Sequence, residues 1–473
     1  MAHWEGKPQR LVFRLVFNIK FEKMKLKQLL NLMVSLTILL FIRCADYLDV
    51  KSDNRIAVPT TLEHLQSLLN DHVKMNNQST PSMIENWSDD YFLLPSTYEV
   101  SGEILQNRYV WKMDLYNHSN DWSAAYQPIY NANFCLDALK NIDRTEKNKV
   151  QYDRIQGESL FYRAYYFQQL LWAFAPVYDE STAMQDVGIV LKLDTDFNTP
   201  SIRASVADCY AKIIEDAKQA IVLLPTVAVI PTQPSKQAGH ALKARIYLSM
   251  RKYELALKHA KEALDIKSGL MDYNNPADGI SSTPTFSFEK YNKEIIFYSE
   301  MNNNQGNMYL SGRGGRIDTV LFDTYLKHDL RKKIYFNPLL KYYGFKGSYG
   351  QLRMFTGLAV DELFLVQAEC KARLNDVQGG MADLNHLLRY RFDNLVPFEG
   401  LMAINKESAL KIILSERRKE LMFRGLRFID IKRLNKEGYN ITIKRKIGDK
   451  EYVLGANSNL VVPIPSDLKP FIQ

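Results

Sequence analysis

Cysteine is scarce and unpatterned. Four occur in 473 residues, at Cys44, Cys135, Cys209 and Cys370, with no Cys-x-x-Cys spacing. That excludes a disulfide framework and a thiolate zinc signature. The last three sit among apolar neighbours in helical patterns and are expected to be buried free thiols. The 8 histidines include no His-Glu-x-x-His and no pair at i, i+4, so no histidine zinc site is expected. A Gly-x-Ser-x-Gly elbow is missing, and the glycine-rich run Ser311–Arg316 lacks the Gly-Lys-Ser/Thr ending of a phosphate loop. Asp89 and Asp90 adjoin, but a glycosidase needs two carboxylates at a set separation across a cleft, which adjacency does not supply. No catalytic or cofactor signature remains.

Net charge is missing where a nucleic-acid binder needs it. The chain carries +8, but eight of its 61 Lys/Arg and two of its 53 Asp/Glu lie in the first 44 residues, which therefore hold +6 of that total. A body so near neutrality has no electrostatic footprint for a polyanion. Long apolar runs are missing too. The longest, Leu29–Ile42, is 14 residues with Asn31, Ser35 and Thr37 inside it, against about 20 for a membrane-spanning helix. Preceded by Lys23, Lys25 and Lys27, it has the layout of an export signal. Met24 is a natural start for such a peptide, and Cys44 follows directly as a candidate lipid anchor, with Arg43 where lipoprotein signals carry a small residue. Residues 1–43 are therefore read as an over-long start plus a lipoprotein signal peptide.

What is present is helical periodicity. Thr61 is placed to cap a helix bearing Leu62, Leu65, Leu68 and Leu69, and Ser205 one bearing Val206, Tyr210, Ile213 and Ala217. The segment Trp122–Leu139 keeps the same period. Gly157–Ala173 has two apolar faces and packs between neighbours, with Pro176 stopping it. Between 236 and 265, Ala244, Tyr247, Tyr253, Ala256, Ala263 and Leu264 stand where a tetratricopeptide pair places small and aromatic residues at its crossing. A looser unit runs from Asp361 to Leu388. Such pairs must stack to bury their faces. The expected fold is α: a tetratricopeptide-like helical repeat core with long irregular loops and minor β elements. The loops lie at 267–320 and 335–356, where Gly, Asn, Ser and Tyr abound. Domain limits are placed at 44–266 and 267–473.

Three stretches resemble the SusD/RagB family of outer-membrane nutrient-binding lipoproteins. These are Cys44-Ala-Asp-Tyr-Leu-Asp-Val, the helix and Pro-Val turn of Gly157–Tyr178, and Ser415–Asn435, SERRKELMFRGLRFIDIKRLN. Lesser matches lie at Ala204–Ile221 and in VVPIPSDL near the end. The resemblance implies a non-enzymatic surface protein, held in the outer membrane through lipid on Cys44. It implies capture of an oligosaccharide or peptide, and delivery as the lid of a SusC-like TonB-dependent transporter barrel. A tetratricopeptide scaffold that binds only protein and a secreted glycan-cleaving enzyme are the rival readings. By spacing alone, Glu416, Glu420 and Arg424 share a helix face, Arg427 and Asp430 are three apart, and apolar residues interleave; buried ion pairs that fix the helix register are expected.

Ligand contact favours flat aromatic rings against the C–H faces of sugars or against peptide side chains, with polar groups at the edges. From position in irregular segments, the candidates are Trp87, Tyr98, Tyr309, Arg313, Tyr342 and Tyr343. Trp111, Trp122 and Trp172 fall in patterned segments and are expected in the core.

Overall fold

The computed structural model describes residues 60–112, 120–280, 285–303, 306–350, 352–458 and 460–472. The export segment and Cys44 lie outside these residues. Among the described residues the longer helices are α1 (Leu62–Asn70), α2 (Asp121–Leu139), α3 (Lys149–Phe174), α4 (Val206–Leu223), α5 (Lys236–Ser249), α6 (Tyr253–Ile266), α7 (Val360–Arg373), α8 (Val377–Arg389), α9 (Lys406–Glu420) and α10 (Arg427–Asn435). The expected caps form: Thr61 Oγ1 accepts from the His64 N–H at 3.3 Å, and Ser205 Oγ from the Asp208 N–H at 3.0 Å. Helix α3 begins at Lys149 rather than Gly157, because its first two turns are polar and carry no apolar period to announce them.

Helices consecutive in sequence pack on one another: α2 on α3, α3 on α4, α4 on α5 and α5 on α6. The small residues do what close crossing requires. A Cβ on Gly239 of α5 would lie 2.5 Å from Ile221 Cγ1 of α4, and one on Gly380 of α8 would lie 2.7 Å from the Ala368 carbonyl of α7. Ala244, Ala256 and Ala263 are fully buried, as are the thiols of Cys135, Cys209 and Cys370, which stay free as the sequence implied.

Helix α6 packs next against α7, so the chain leaves the helical layer at Lys267 and returns at Val360. A single compact unit, Thr60–Gln473, spans this point. The intervening segment is less irregular than expected. It carries β4 (Ile295–Phe297), β5 (Gly315–Ile317), β6 (Phe336–Leu339), β7 (Tyr342–Phe345) and β8 (Leu358–Ala359). Strand β4 pairs with β8, β6 with β7, and β5 with β1 (Tyr91–Leu93), all antiparallel. Further two-stranded pairs are β2 (Val187–Val190) with β3 (Arg203–Ser205), and β9 (Ile443–Ile447) with β10 (Lys450–Leu454). Aromatics of this excursion, Tyr273, Phe288, Tyr298, Tyr309, Tyr335 and Tyr349, join Tyr91 and Tyr109 from the N-terminal region in a second hydrophobic core.

The charged motif Ser415–Asn435 joins the two cores. Arg331, fully buried, meets Asp329 at 2.7 Å, Glu416 at 2.6 Å and Glu420 at 3.0 Å. Glu420 also accepts from Arg391 at 2.8 Å, and Arg391 reaches Glu294 at 2.8 Å. Arg424 pairs with Asp361 at 2.7 Å, Arg433 with Glu369 at 2.6 Å, and Asp430 with both Arg417 at 2.8 Å and Arg433 at 2.7 Å. The buried pairing expected from sequence is present. Arg427, however, reaches Asp89 at 2.7 Å rather than Asp430, and Arg418 takes Asp90 at 2.7 Å. The Asp89-Asp90 pair is thus a long-range counter-ion, not a catalytic couple.

Two outcomes follow from this packing. Arg331→Met removes the guanidinium shared by three buried carboxylates, leaves Asp329 without its cation, and is expected to cost about 3–5 kcal/mol, read as a lower denaturation midpoint. Glu85, on the short helix Met83–Asn86, accepts from the Gly425 N–H at 2.8 Å and from Ser88 Oγ at 3.0 Å. Burial, with Asp90 nearby, pushes its carboxyl up to about 8 from an ordinary 4.5. The folded chain therefore holds a proton that the unfolded chain releases between those values, and this group's contribution to stability falls as pH rises from about 4.5 to 8. Glu85→Gln should flatten that part of the stability-versus-pH curve; an unchanged curve would refute a protonated Glu85.

Candidate ligand-binding site

Strand alternation sets up the site. In β1, Tyr91 and Leu93 point inward and Phe92 outward, opposite Arg316 of β5. Strand β7 lies beside β5, which brings Tyr342 edge-on to Phe92, with ring centroids 5.1 Å apart at 79°. The ammonium of exposed Lys341 stands 5.1 Å from the centre of the Tyr342 ring. Tyr343, one residue on, faces the other way and stacks on Phe322 at 3.7 Å and 14°.

Two neighbours complete this surface. Arg313 is exposed at the end of the turn Ser311–Arg313. The next residue, Gly314, has φ +94°, and a Cβ there would lie 2.2 Å from Thr97 Cγ2, so only glycine lets the turn close on the helix Pro95–Val100. Tyr98 sits on that helix, half-buried against Tyr109 with ring centroids 5.9 Å apart. Burial, and then its hydroxyl contact with Tyr452, raise the Tyr98 phenol above its ordinary range. Arg313 and Lys341 make no ion pair among the described residues, and Nε of half-buried Arg316 has no hydrogen-bond partner.

Of the six residues expected at a ligand, the elements carrying Tyr98, Arg313 and Tyr342 touch one another. Tyr343 is turned away onto Phe322. Trp87 and Tyr309 are corrections: at 4% and 1% exposure they are core residues with no face open to solvent. Trp87 packs edge-on to Phe428 at 6.0 Å, and Tyr309 stacks on Phe423 at 5.2 Å while its hydroxyl donates to Met301 Sδ at 3.0 Å. Phe92 and Arg316 also stand at this surface and were not among the expected residues. The in-out-in pattern of Tyr91-Phe92-Leu93 was the available signal, but three residues are too few to show a period. Trp122 and Trp172 are buried as expected, and Trp111 is half-buried.

A second aromatic surface was not anticipated. A cleft of about 300 Å³ opens between α2 and the segment 190–201, lined by Trp122, Tyr126, Tyr130, Asn133, Lys192 and Phe197 among others. Tyr130 and Phe197 stack at 5.5 Å and 24°, and Phe197 is 82% exposed. Among the described residues one set can hold a metal ion: His240, His259 and Glu262.

A stacked helical layer bearing an aromatic-rich excursion, with rings and cations at its surface, defines a helical protein with a candidate binding surface. Comparison with known proteins gives the family. Residues 46–248 match the SusD-like family described as "Starch-binding associating with outer membrane", and residues 285–459 match the SusD family SusD_RagB. A SusD-like protein of Formosa agariphila is 26% identical over 185 residues, 38% of this chain but only 31% of that one. Solved structures share the fold. A putative sugar binding protein from Bacteroides vulgatus has a TM-score of 0.69 at 21% identity, with 88% of this chain and 98% of that one covered. A SusD superfamily protein from Bacteroides thetaiotaomicron has a TM-score of 0.69 at 19% identity, covering 87% and 99%. The chain belongs to the SusD/RagB family.

Proposed function

We propose that this chain captures an oligosaccharide at the cell surface and passes it to a TonB-dependent outer-membrane barrel, over which it sits as a lid. The observation that carries the reading is the half-buried aromatic pair Phe92–Tyr342, with Lys341, Arg313 and Arg316 on the same or adjoining elements. Ring faces and edges of this kind pack on the C–H surface of a sugar, while the cations bond its hydroxyl or acidic groups. The family description as starch-binding and outer-membrane-associated supports it, as does a similar structure named a sugar binding protein. A peptide ligand is the alternative, since aromatic and guanidinium groups serve it equally. Binding without cleavage is the reading for this site, so incubation with the ligand should release no reducing ends.

Anchoring is proposed through lipid on Cys44. No helix among the described residues is long and apolar enough to cross a membrane, so the tether is assigned to the N-terminal segment. Cys44→Ala should move the protein from the membrane fraction to the soluble one; retention in the membrane would overturn lipid anchoring there.

Ligand assignment is tested by calorimetry against glycan and peptide pools. Phe92→Ala and Tyr342→Ala should each weaken binding by about 1–3 kcal/mol, the range for stacking platforms. Phe197→Ala, in the separate cleft, should leave it unchanged. The reverse pattern would move the site to α2, and peptide-only binding would replace the sugar.

A further inference from the structure

Helices α5 and α6 form a hairpin that turns at Arg251, where φ is +61°. In an antiparallel pair, residues equally far from the turn face one another, and His240 and Glu262 are equidistant from Arg251. On α6, His259 and Glu262 are three apart and share a face. The fold thus brings two imidazoles and a carboxylate to one point, although their sequence spacing matches no metal motif.

The convergence is close. His240 Nδ1 and His259 Nδ1 are 3.2 Å apart. Glu262 Oε2 lies 2.9 Å from the first and 2.7 Å from the second. That oxygen is buried, with both ring nitrogens in contact with it. Three lone-pair atoms in a triangle of this size fit the edges of a metal coordination shell. Bonds of about 2.0–2.1 Å place cis ligands about 2.9 Å apart at right angles and about 3.3 Å apart in a tetrahedron.

We propose that His240, His259 and Glu262 bind a divalent ion of the zinc type, which clamps α5 to α6. The donor set selects the ion class. Calcium and magnesium take oxygen shells, whereas two imidazoles with one carboxylate suit Zn²⁺ and its neighbours. Tyr247 stacks on the His259 ring at 5.6 Å and 10°, holding its plane. The Glu262 side chain is 36% exposed, so an ion enters from solvent and keeps a water ligand there. Lys243, facing the same crossing from α5, opposes the charge of the ion; its ammonium lies 5.7 Å from the Tyr247 ring centre.

The test uses the full chain, stripped with chelator and titrated with ZnCl₂ by calorimetry. One ion per chain is expected, with a higher thermal midpoint in Zn²⁺ and no change in Mg²⁺ or Ca²⁺. His240→Ala, His259→Ala and Glu262→Gln should each weaken uptake by about tenfold or more. Lys243→Met leaves the ligands in place and should tighten it, an effect that loss of folding cannot mimic. Co²⁺ should give visible ligand-field bands that His240→Ala abolishes. Absence of Zn²⁺ uptake, or uptake that all four substitutions leave unchanged, overturns the site.

Discussion

The buried ion network of α9 and α10 is the constraint on which the remaining architecture depends. Desolvating so many charges is unfavourable unless each finds its partner, and here the partners come from segments far apart in the chain. Asp89 and Asp90 come from the N-terminal region, Arg331 and Glu294 from the excursion, and Asp361 and Glu369 from α7. A slip of α9 by one residue would unpair several of them together. The motif therefore fixes register more than it adds net stability. It also meets the other family-like stretch. Lys432 donates to the Trp172 and Ala175 carbonyls at 2.8 and 2.7 Å, at the C-terminal end of α3, and burial pulls its ammonium down to about 7.

The helix that receives this lysine is pinned on its other sides by the same kind of interaction. Arg163 holds Asp216 of α4 at 2.7 Å and Asn133 of α2 at 3.0 Å, while Glu158 accepts from Gln66 of α1 at 2.7 Å. Apolar packing supplies the drive to stack helices, and the charged contacts select which neighbours stack and in what register. On that rigid layer the excursion between α6 and α7 can be elaborate. Its own aromatic core holds the β1–β5 and β6–β7 pairs, and these present Phe92 and Tyr342 at the surface.

For aromatic residues in apparent loops, sequence position is a poor guide to exposure, for a physical reason. A two-stranded sheet buries one face, so of each adjacent pair one ring goes in and one stays out, as with Tyr342 and Tyr343. Trp87 and Tyr309 lie in turn-rich sequence, yet the main core takes the first ring and the second core takes the other. The histidines show the converse. Read linearly they are scattered, and only the hairpin sets His240 against His259 and Glu262.

The sequence by itself determined the helices, their caps, the small residues at their crossings, the buried free thiols and the presence of a paired ionic motif. All of these are carried by spacings of a few residues, which fix one element and one face. It also carried the family likeness. Tertiary structure alone decided which carboxylate meets which guanidinium, which tyrosines are core, and where ligand atoms converge. Those outcomes depend on residues tens to hundreds of positions apart, and no local period records which segment packing will bring alongside.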